Sequence, residues 1–179
     1  MAEAPDEELM AAYRDGNAAA FDALYNRHRG PLFRYVLRGV KLRAVAEELY
    51  QEIWIRVIEA RRRYSATARF TTWLYTIAHN RLVDYWRRKE LTVVPVDEDT
   101  TAPDAAADPA RQVQGREALS RFARALVELP HAQREAFLLH EEAGMTAVEI
   151  AAVTGSETEA VKSRLRYAVA KLKAAVNDG

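Results

Sequence analysis

The sequence predicts an all-α fold: an N-terminal helical bundle and a C-terminal helix-turn-helix domain, joined by an acidic flexible linker. Three observations carry this. Apolar residues recur at three- and four-residue steps through most of the chain, the spacing of a helix with one buried face. Between Leu91 and Gly115 that periodicity stops, and Pro95, Pro103 and Pro109 stand among Asp and Ala, as in an extended or flexible segment. Charge is also segregated. Arg61, Arg62, Arg63, Arg69, Arg81, Arg87, Arg88 and Lys89 face only Asp84 and Glu90 before the break, whereas Asp97, Glu98, Asp99, Asp104, Asp108 and Glu117 dominate after it. A basic module and an acidic connector have different partners. The boundaries expected are 1–90, 91–117 and 118–179.

In order, Asp6 to Asp15 predicts a short helix stopped by Gly16. Asn17 is placed to cap the next, whose apolar positions Phe21, Leu24, Tyr25, Leu32, Phe33, Val36 and Leu37 continue past Gly30-Pro31. Pro31 cannot donate to the helical ladder, so a kink or split is expected there. Arg43 to Ala60 predicts a third helix with Val45, Leu49, Ile53, Trp54, Val57 and Ile58 facing in. Its other face carries Glu47, Glu48, Gln51, Glu52, Ile55 and Arg56, and charge alone favours reading it as solvated surface.

Arg69 to Lys89 predicts a fourth helix or helix pair with two stripes. Phe70, Trp73, Leu74, Ile77 and Tyr85 form one; Thr72, Tyr75, His79, Val83 and Trp86 form the other. Aromatics beside arginines suit a single nucleic-acid strand, with rings stacking on bases and cations tracking phosphates. A bundle helix packed on both sides produces the same pattern, and composition does not separate the two.

After the linker, Leu119 to Glu128 and His131 to Glu142 read as helices, the first ended by Leu129-Pro130 and the second followed by Gly144. Then Thr146 and Glu149 have the spacing of a capping box. Gly155 suits a left-handed helix end, and Ser156 with Glu159 reads as a second box. Two capped helices around a glycine turn predict a helix-turn-helix. In its second helix Val161, Leu165, Ala168, Val169, Leu172 and Val176 form an apolar back, while Glu159, Lys162, Ser163, Arg166 and Tyr167 lie elsewhere. Donors near the start of such a helix reach base edges and phosphates, so DNA binding is favoured over a merely soluble face.

The 179 residues carry 26 Lys and Arg against 26 Asp and Glu, with no cysteine, which excludes disulfides and thiolate metal sites. No apolar run approaches membrane-spanning length, and the acidic start lacks a signal pattern, so a soluble cytoplasmic protein without membrane insertion is expected. The Glu-x-x-His pair of Glu128 and His131 is interrupted by Pro130, which argues against a di-iron bundle. No zinc-protease, hydrolase or phosphate-loop motif occurs. No enzyme, metal or cofactor is expected.

The motifs in combination resemble a family. AEELYQEIWIRV from Ala46, FTTWLYTIAHNRLVDYWRR from Phe70 and LPHAQREAFLLHEEAGMTAVEIAAVTGSETEAVKSRL from Leu129 are similar to regions 2 and 4 of bacterial RNA polymerase sigma factors of the extracytoplasmic function class. The resemblance implies a promoter-specificity factor that binds core RNA polymerase and promoter DNA. It implies that Glu47, Glu48, Gln51, Glu52, Ile55 and Arg56 face the clamp helices of the largest polymerase subunit. Thr71, Thr72, Trp73, Tyr75, His79, Asn80, Arg87 and Arg88 would act at the −10 element. Lys162, Ser163, Arg166 and Tyr167 would act at the −35 element, although the family favours a basic residue where Tyr167 stands and often another near Val169. Family members are commonly held by an anti-sigma factor, which the resemblance adds to the expected partners. The alternative is an autonomous helix-turn-helix regulator whose N-terminal domain senses or dimerises.

Overall fold

The computed structural model describes residues 3–91 and 109–178. Among them run α1 (Asp6–Arg14), α2 (Ala18–Val40), α3 (Arg43–Ala60), a 3-10 turn (Arg61–Arg63), α4 (Phe70–Leu91), α5 (Pro109–Glu128), α6 (His131–Ala143), α7 (Ala147–Thr154) and α8 (Thr158–Asn177). No strand occurs among the described residues.

The first four helices share a core of Met10, Leu24, Leu32, Val36, Leu49, Ile53, Val57, Phe70, Leu74 and Leu82. Asn17 caps α2 as expected, its side chain accepting from the Ala20 N–H at 3.3 Å. The Gly30-Pro31 pair does not split α2, which is continuous from Ala18 to Val40. A proline inside a helix costs about 3 kcal/mol. Burial of Leu24, Leu32, Tyr35 and Val36 along the same helix outweighs it, at roughly 1.5–3 kcal/mol for each large apolar side chain. Ile58, expected inside, lies at the rim of α3 with 36% exposure. A cap that sequence reading does not show joins α1 to α4: the Phe70 N–H donates to the Glu7 carboxylate at 2.9 Å.

Helix encroaches on both ends of the predicted linker. α4 runs through Leu91 and α5 begins at Pro109, ten residues before the expected Leu119. Proline is favourable at a first helical position because its fixed φ suits the helix and no N–H bond is lost. The central part of the predicted linker, residues 92–108, lies outside the described residues.

In the C-terminal helices Leu126, Leu129, Ala136, Leu139, Met145, Ile150, Val153, Val161, Ala168 and Leu172 are buried together. Arg134 explains the Leu129-Pro130-x-x-x-Arg134 spacing. Pro130 ends α5 and leaves its last carbonyls without helical donors; the buried Arg134 guanidinium donates to Val127 O at 3.0 Å and Leu129 O at 3.3 Å. Burial pushes the Arg134 pKa down, and the neighbouring Glu135 partly offsets this.

The two halves touch: α6 packs against α2, and α7 against α4. At the entry to α7 the expected capping box is complete, with Thr146 N–H donating to Glu149 Oε2 at 2.9 Å and Glu149 N–H to Thr146 Oγ1 at 3.3 Å. Replacing Thr146 by Ala removes one of these bonds. It is expected to lower stability by about 1 kcal/mol in urea titration of the full chain, with secondary structure retained.

Candidate nucleic-acid interface and docking faces

α7 ends at Gly155, which adopts φ 65° and ψ 33°, the left-handed conformation that a residue with Cβ resists. α8 then starts with Glu157 as N-cap and no side-chain capping bond. The second capping box is therefore corrected. The Ser156 hydroxyl accepts from Arg164 Nη1 at 2.8 Å and from Thr154 Oγ1 at 3.1 Å, and the Glu159 carboxylate accepts from Lys162 Nζ at 2.9 Å. Ser156 thus ties the turn to the middle of α8. Arg164, to which the sequence pattern assigns no role, is the donor of that tie.

α8 buries Val161, Ala168 and Leu172 and half-buries Leu165 and Val169, whereas Val176 is exposed. Lys162, Arg166 and Tyr167 point outward, Tyr167 with 62% exposure. Ser163 is half-buried and its Oγ accepts from Arg166 Nη2 at 3.1 Å. The four predicted residues share one accessible side of a firmly seated helix.

On α3, Glu47, Glu48, Gln51, Ile55 and Arg56 are exposed, and Ile55 is 53% accessible amid charge. Glu52 differs from them. Its carboxylate accepts a hydrogen bond from Arg81 Nε of α4, and Arg81 is buried, so the half-buried Glu52 pairs with a cation of the bundle. Glu47 pairs with Arg43 at 3.3 Å.

The eight predicted residues of α4 separate into two environments. Thr71, Thr72 and Trp73 are half-buried near its start, Asn80 is exposed, and Arg87 and Arg88 are exposed near its end. Tyr75 and His79 are not on an open surface. Tyr75 is 1% exposed, its ring edge-on to Tyr35 at 5.4 Å. His79 Nδ1 bonds the Glu135 carboxylate of α6. Trp86 of the same stripe donates to Gly39 O at 3.2 Å and meets the His131 ring at 3.6 Å. Gly39 permits this approach, since a Cβ there would come within 3.3 Å of Leu82 and 3.6 Å of Trp86. In this conformation the second aromatic stripe is a packing face.

Glu135 is the residue that sequence reading missed. It is 6% exposed and receives the Tyr35 hydroxyl at 2.8 Å, His79 Nδ1, and His131 Nε2 at 3.5 Å. Burial opposes its ionisation, but the bonds from His131, His79 and Tyr35 outweigh that and bring its pKa down to about 2. Two ion pairs flank it: Arg34 with Glu142 and Arg69 with Glu149, each at 2.9 Å. No group of three or more His, Cys, Asp and Glu side chains among the described residues is arranged to hold a metal ion.

A helical bundle with a charged outer face, followed by a helix-turn-helix with a basic outer side, defines a DNA-associated two-domain protein. Residues 24–92 match the family model described as Sigma-70 region 2, and residues 119–172 match Sigma-70, region 4. The chain is 33% identical over 165 residues to RNA polymerase sigma factor CarQ of Myxococcus xanthus, covering 92% of this chain and 93% of that protein. It is 30% identical over 168 residues to ECF RNA polymerase sigma factor RpoE of Cereibacter sphaeroides, covering 92% and 91%. Among solved structures, CnrH in complex with the cytosolic domain of CnrY superposes with TM-score 0.70 at 25% identity, covering 97% of each chain. The sigma factor RpoE in complex with the anti-sigma factor NepR from Bartonella quintana shares the fold, with TM-score 0.69 at 24% identity, covering 87% of this chain and 96% of that one. The chain belongs to the extracytoplasmic function class of sigma-70 RNA polymerase sigma factors, which are transcription initiation factors. These relatives do not favour the autonomous regulator. No helix among the described residues is long and apolar enough to cross a membrane.

The Glu135 environment has a pH signature. A carboxylate whose folded pKa lies below its ordinary 4.5 stabilises the fold fully above that value, and the contribution is lost as pH falls toward about 2. The groups facing it are Tyr35 of α2, His79 of α4, and His131 and Arg134 of α6. Between pH 7 and pH 3 the unsubstituted chain is expected to lose on the order of 2 kcal/mol more stability than Glu135→Gln. Parallel urea titrations across that range read the difference, and identical pH slopes contradict it.

Proposed function

We propose that residues 1–90 dock on core polymerase and act at the −10 element, that 91–117 connect, and that 118–179 read the −35 element as duplex. The observation that carries this is α8: its back is fixed by Val161, Ala168 and Leu172, and its open side presents Lys162, Arg166 and Tyr167 with Ser163 beside them. Arg166 reads base edges and Lys162 neutralises phosphate. Tyr167 replaces a charge with a ring, so this helix relies on fewer ionic contacts than relatives with a basic residue there.

Glu47, Glu48, Gln51, Ile55 and Arg56 form the docking face toward the clamp helices of the largest subunit, an apolar centre within a charged rim. Glu52 supports that face through Arg81. Thr71, Thr72, Trp73 and Asn80 hold the unpaired −10 strand, with Arg87 and Arg88 on phosphate; Tyr75 and His79 support α4 from beneath. The protein works in the cytoplasm, has no catalytic residues or cofactor of its own, and is restrained by an anti-sigma factor. The complexes of CnrH with CnrY and of RpoE with NepR support that last point by likeness of fold.

Transcription reconstituted with core polymerase tests each part. Glu48→Arg with Gln51→Arg is expected to weaken capture of core polymerase by more than tenfold while changing stability by only about 0.5 kcal/mol. Undiminished capture refutes the docking face. Within holoenzyme, Arg166→Ala is expected to relax preference at one −35 position by about 1–3 kcal/mol, and Lys162→Ala to weaken all sequences alike. Unchanged −35 affinity in both variants refutes that assignment. Asn80→Ala is expected to impair linear duplex promoters more than templates already unpaired at −10, because the opened template removes the unstacking cost. Equal losses on both templates contradict strand capture.

A further inference from the structure

The first helix, α1, precedes residues 24–92, over which the chain matches Sigma-70 region 2, and none of the interface residues named above lies on it. Its polar contacts converge on one place. The Glu7 carboxylate accepts from the Phe70 N–H at 2.9 Å, at the first residue of α4. Arg14 Nη1 donates to Tyr64 O at 3.3 Å. Beside them, the Arg61 guanidinium lies over the Tyr13 ring at 5.7 Å. Glu7 and Arg14 are about two helical turns apart, so they stand on one face of α1 at a separation of roughly 10 Å. They hold the two ends of the segment 64–70, in which residues 65–69 belong to no helix and are exposed.

The brace itself is anchored. Met10 of α1 is fully buried, and Asp6 at its start bonds His28 Nε2 at 2.9 Å and pairs with Arg27, both of α2. The Tyr64 ring, 2% exposed, meets Phe70 edge-on at 6.3 Å and Trp73 edge-on at 5.3 Å. Its hydroxyl has no hydrogen-bond partner among the described residues, so the ring is held by packing and the backbone by Arg14. Thr71, Thr72 and Trp73 follow within the first turn of α4 and are half-buried. Where they stand depends on where α4 begins, and that is where Glu7 bonds. A first-turn N–H has no acceptor within its own helix, and the helix dipole favours a carboxylate there. We propose that Glu7 and Arg14 are positioning residues of the −10 site. Through them α1 sets the path of 64–70 and the start of α4, and so the place at which Thr71, Thr72 and Trp73 meet the unpaired strand, without touching DNA itself. The role rests on the function proposed above. Side chains that receive a ligand lose contacts when their supports shift even slightly. No hydrogen bond among the described residues joins Glu7 or Arg14 to the exposed face of α3 or to α8, so loss of the brace acts on strand capture alone.

The test uses the full chain bound to core polymerase. Duplex DNA selected from a random-sequence pool by the unsubstituted holoenzyme supplies two probes, the −35 duplex and the non-template −10 segment as a single strand. Glu7→Ala is expected to weaken binding of the single strand about tenfold, with capture of core polymerase and binding of the −35 duplex unchanged. Glu7→Gln keeps an acceptor for the Phe70 N–H without the charge, and is expected to recover most of the loss. Arg14→Lys is expected to recover binding relative to Arg14→Ala in the same way, and that pair decides the matter if Glu7→Ala does not fold. In the free chain, hydrogen exchange at the Phe70 amide is expected to quicken in Glu7→Ala and to slow again in Glu7→Gln. Single-strand binding unchanged in Glu7→Ala overturns the positioning role. So does an equal loss of strand, duplex and core binding, which assigns Glu7 to stability, or a Glu7→Gln variant as weak as Glu7→Ala. In each of these results the unsubstituted holoenzyme still holds the strand, and the proposed function stands. An unsubstituted holoenzyme that does not hold the −10 strand overturns the proposed function and the positioning role with it.

Discussion

The buried carboxylate of Glu135 is the constraint on which the relation between the two halves depends. An ionised group in an apolar interior is tolerated only when its lone pairs are taken up. Here the donors come from three helices in two domains: Tyr35, His79 and His131. Removing Glu135 takes the shared acceptor from all three, whereas removing one donor leaves the other two in place. Within each domain cohesion is of another kind. Leu32, Ile53 and Phe70 from the first half, and Leu139, Ile150 and Leu172 from the second, are held by apolar burial. The buried apolar residues of the two halves form one continuous cluster, with α6 packed on α2 and α7 on α4, so the polar contact is set within an apolar one.

Local polar devices fix the geometry of each domain in the same economical way. Arg134 caps the carbonyls that Pro130 strands, Glu7 caps the start of α4, and Ser156 joins the turn to Arg164. Each meets a hydrogen-bonding need at a helix end and sets the angle to the next helix. The basic side of α8 is therefore presented by a scaffold whose turn is pinned at Gly155 and at Ser156. The acidic side of α3 is held through Glu52 and Arg81.

Helix content, the helix-turn-helix and most buried positions were legible in the letters because they rest on interactions within one or two turns. The box of Thr146 and Glu149 needs only a three-residue spacing. The box at Ser156 has the same spacing and does not form: α8 begins one residue later, with Glu157 as its N-cap, and the Ser156 hydroxyl accepts from Arg164, eight residues away. α5 was read as starting too late since Pro109 signals a break in most contexts and a helix start in one. The two stripes of α4 show in the spacing, but periodicity cannot say what covers a face, and it left the second stripe open between a strand-binding surface and a packing face. His79 meets Glu135 across 56 residues, a distance at which sequence carries no geometric trace. Of the candidate site, the exposed residues of α3 and α8 were legible from amphipathic spacing and family likeness. The burial of Tyr75 and His79 was not, since it depends on the second domain.

Small-angle scattering from the free full chain tests the packing of the two halves most directly. A single compact chain of 179 residues has a radius of gyration of about 16 Å. Two separate helical domains on a flexible connector would give about 23 Å. A chain packed in this way gives a value near the first figure at neutral pH, rising toward the second in Glu135→Ala. A value near 23 Å for the unsubstituted chain contradicts it.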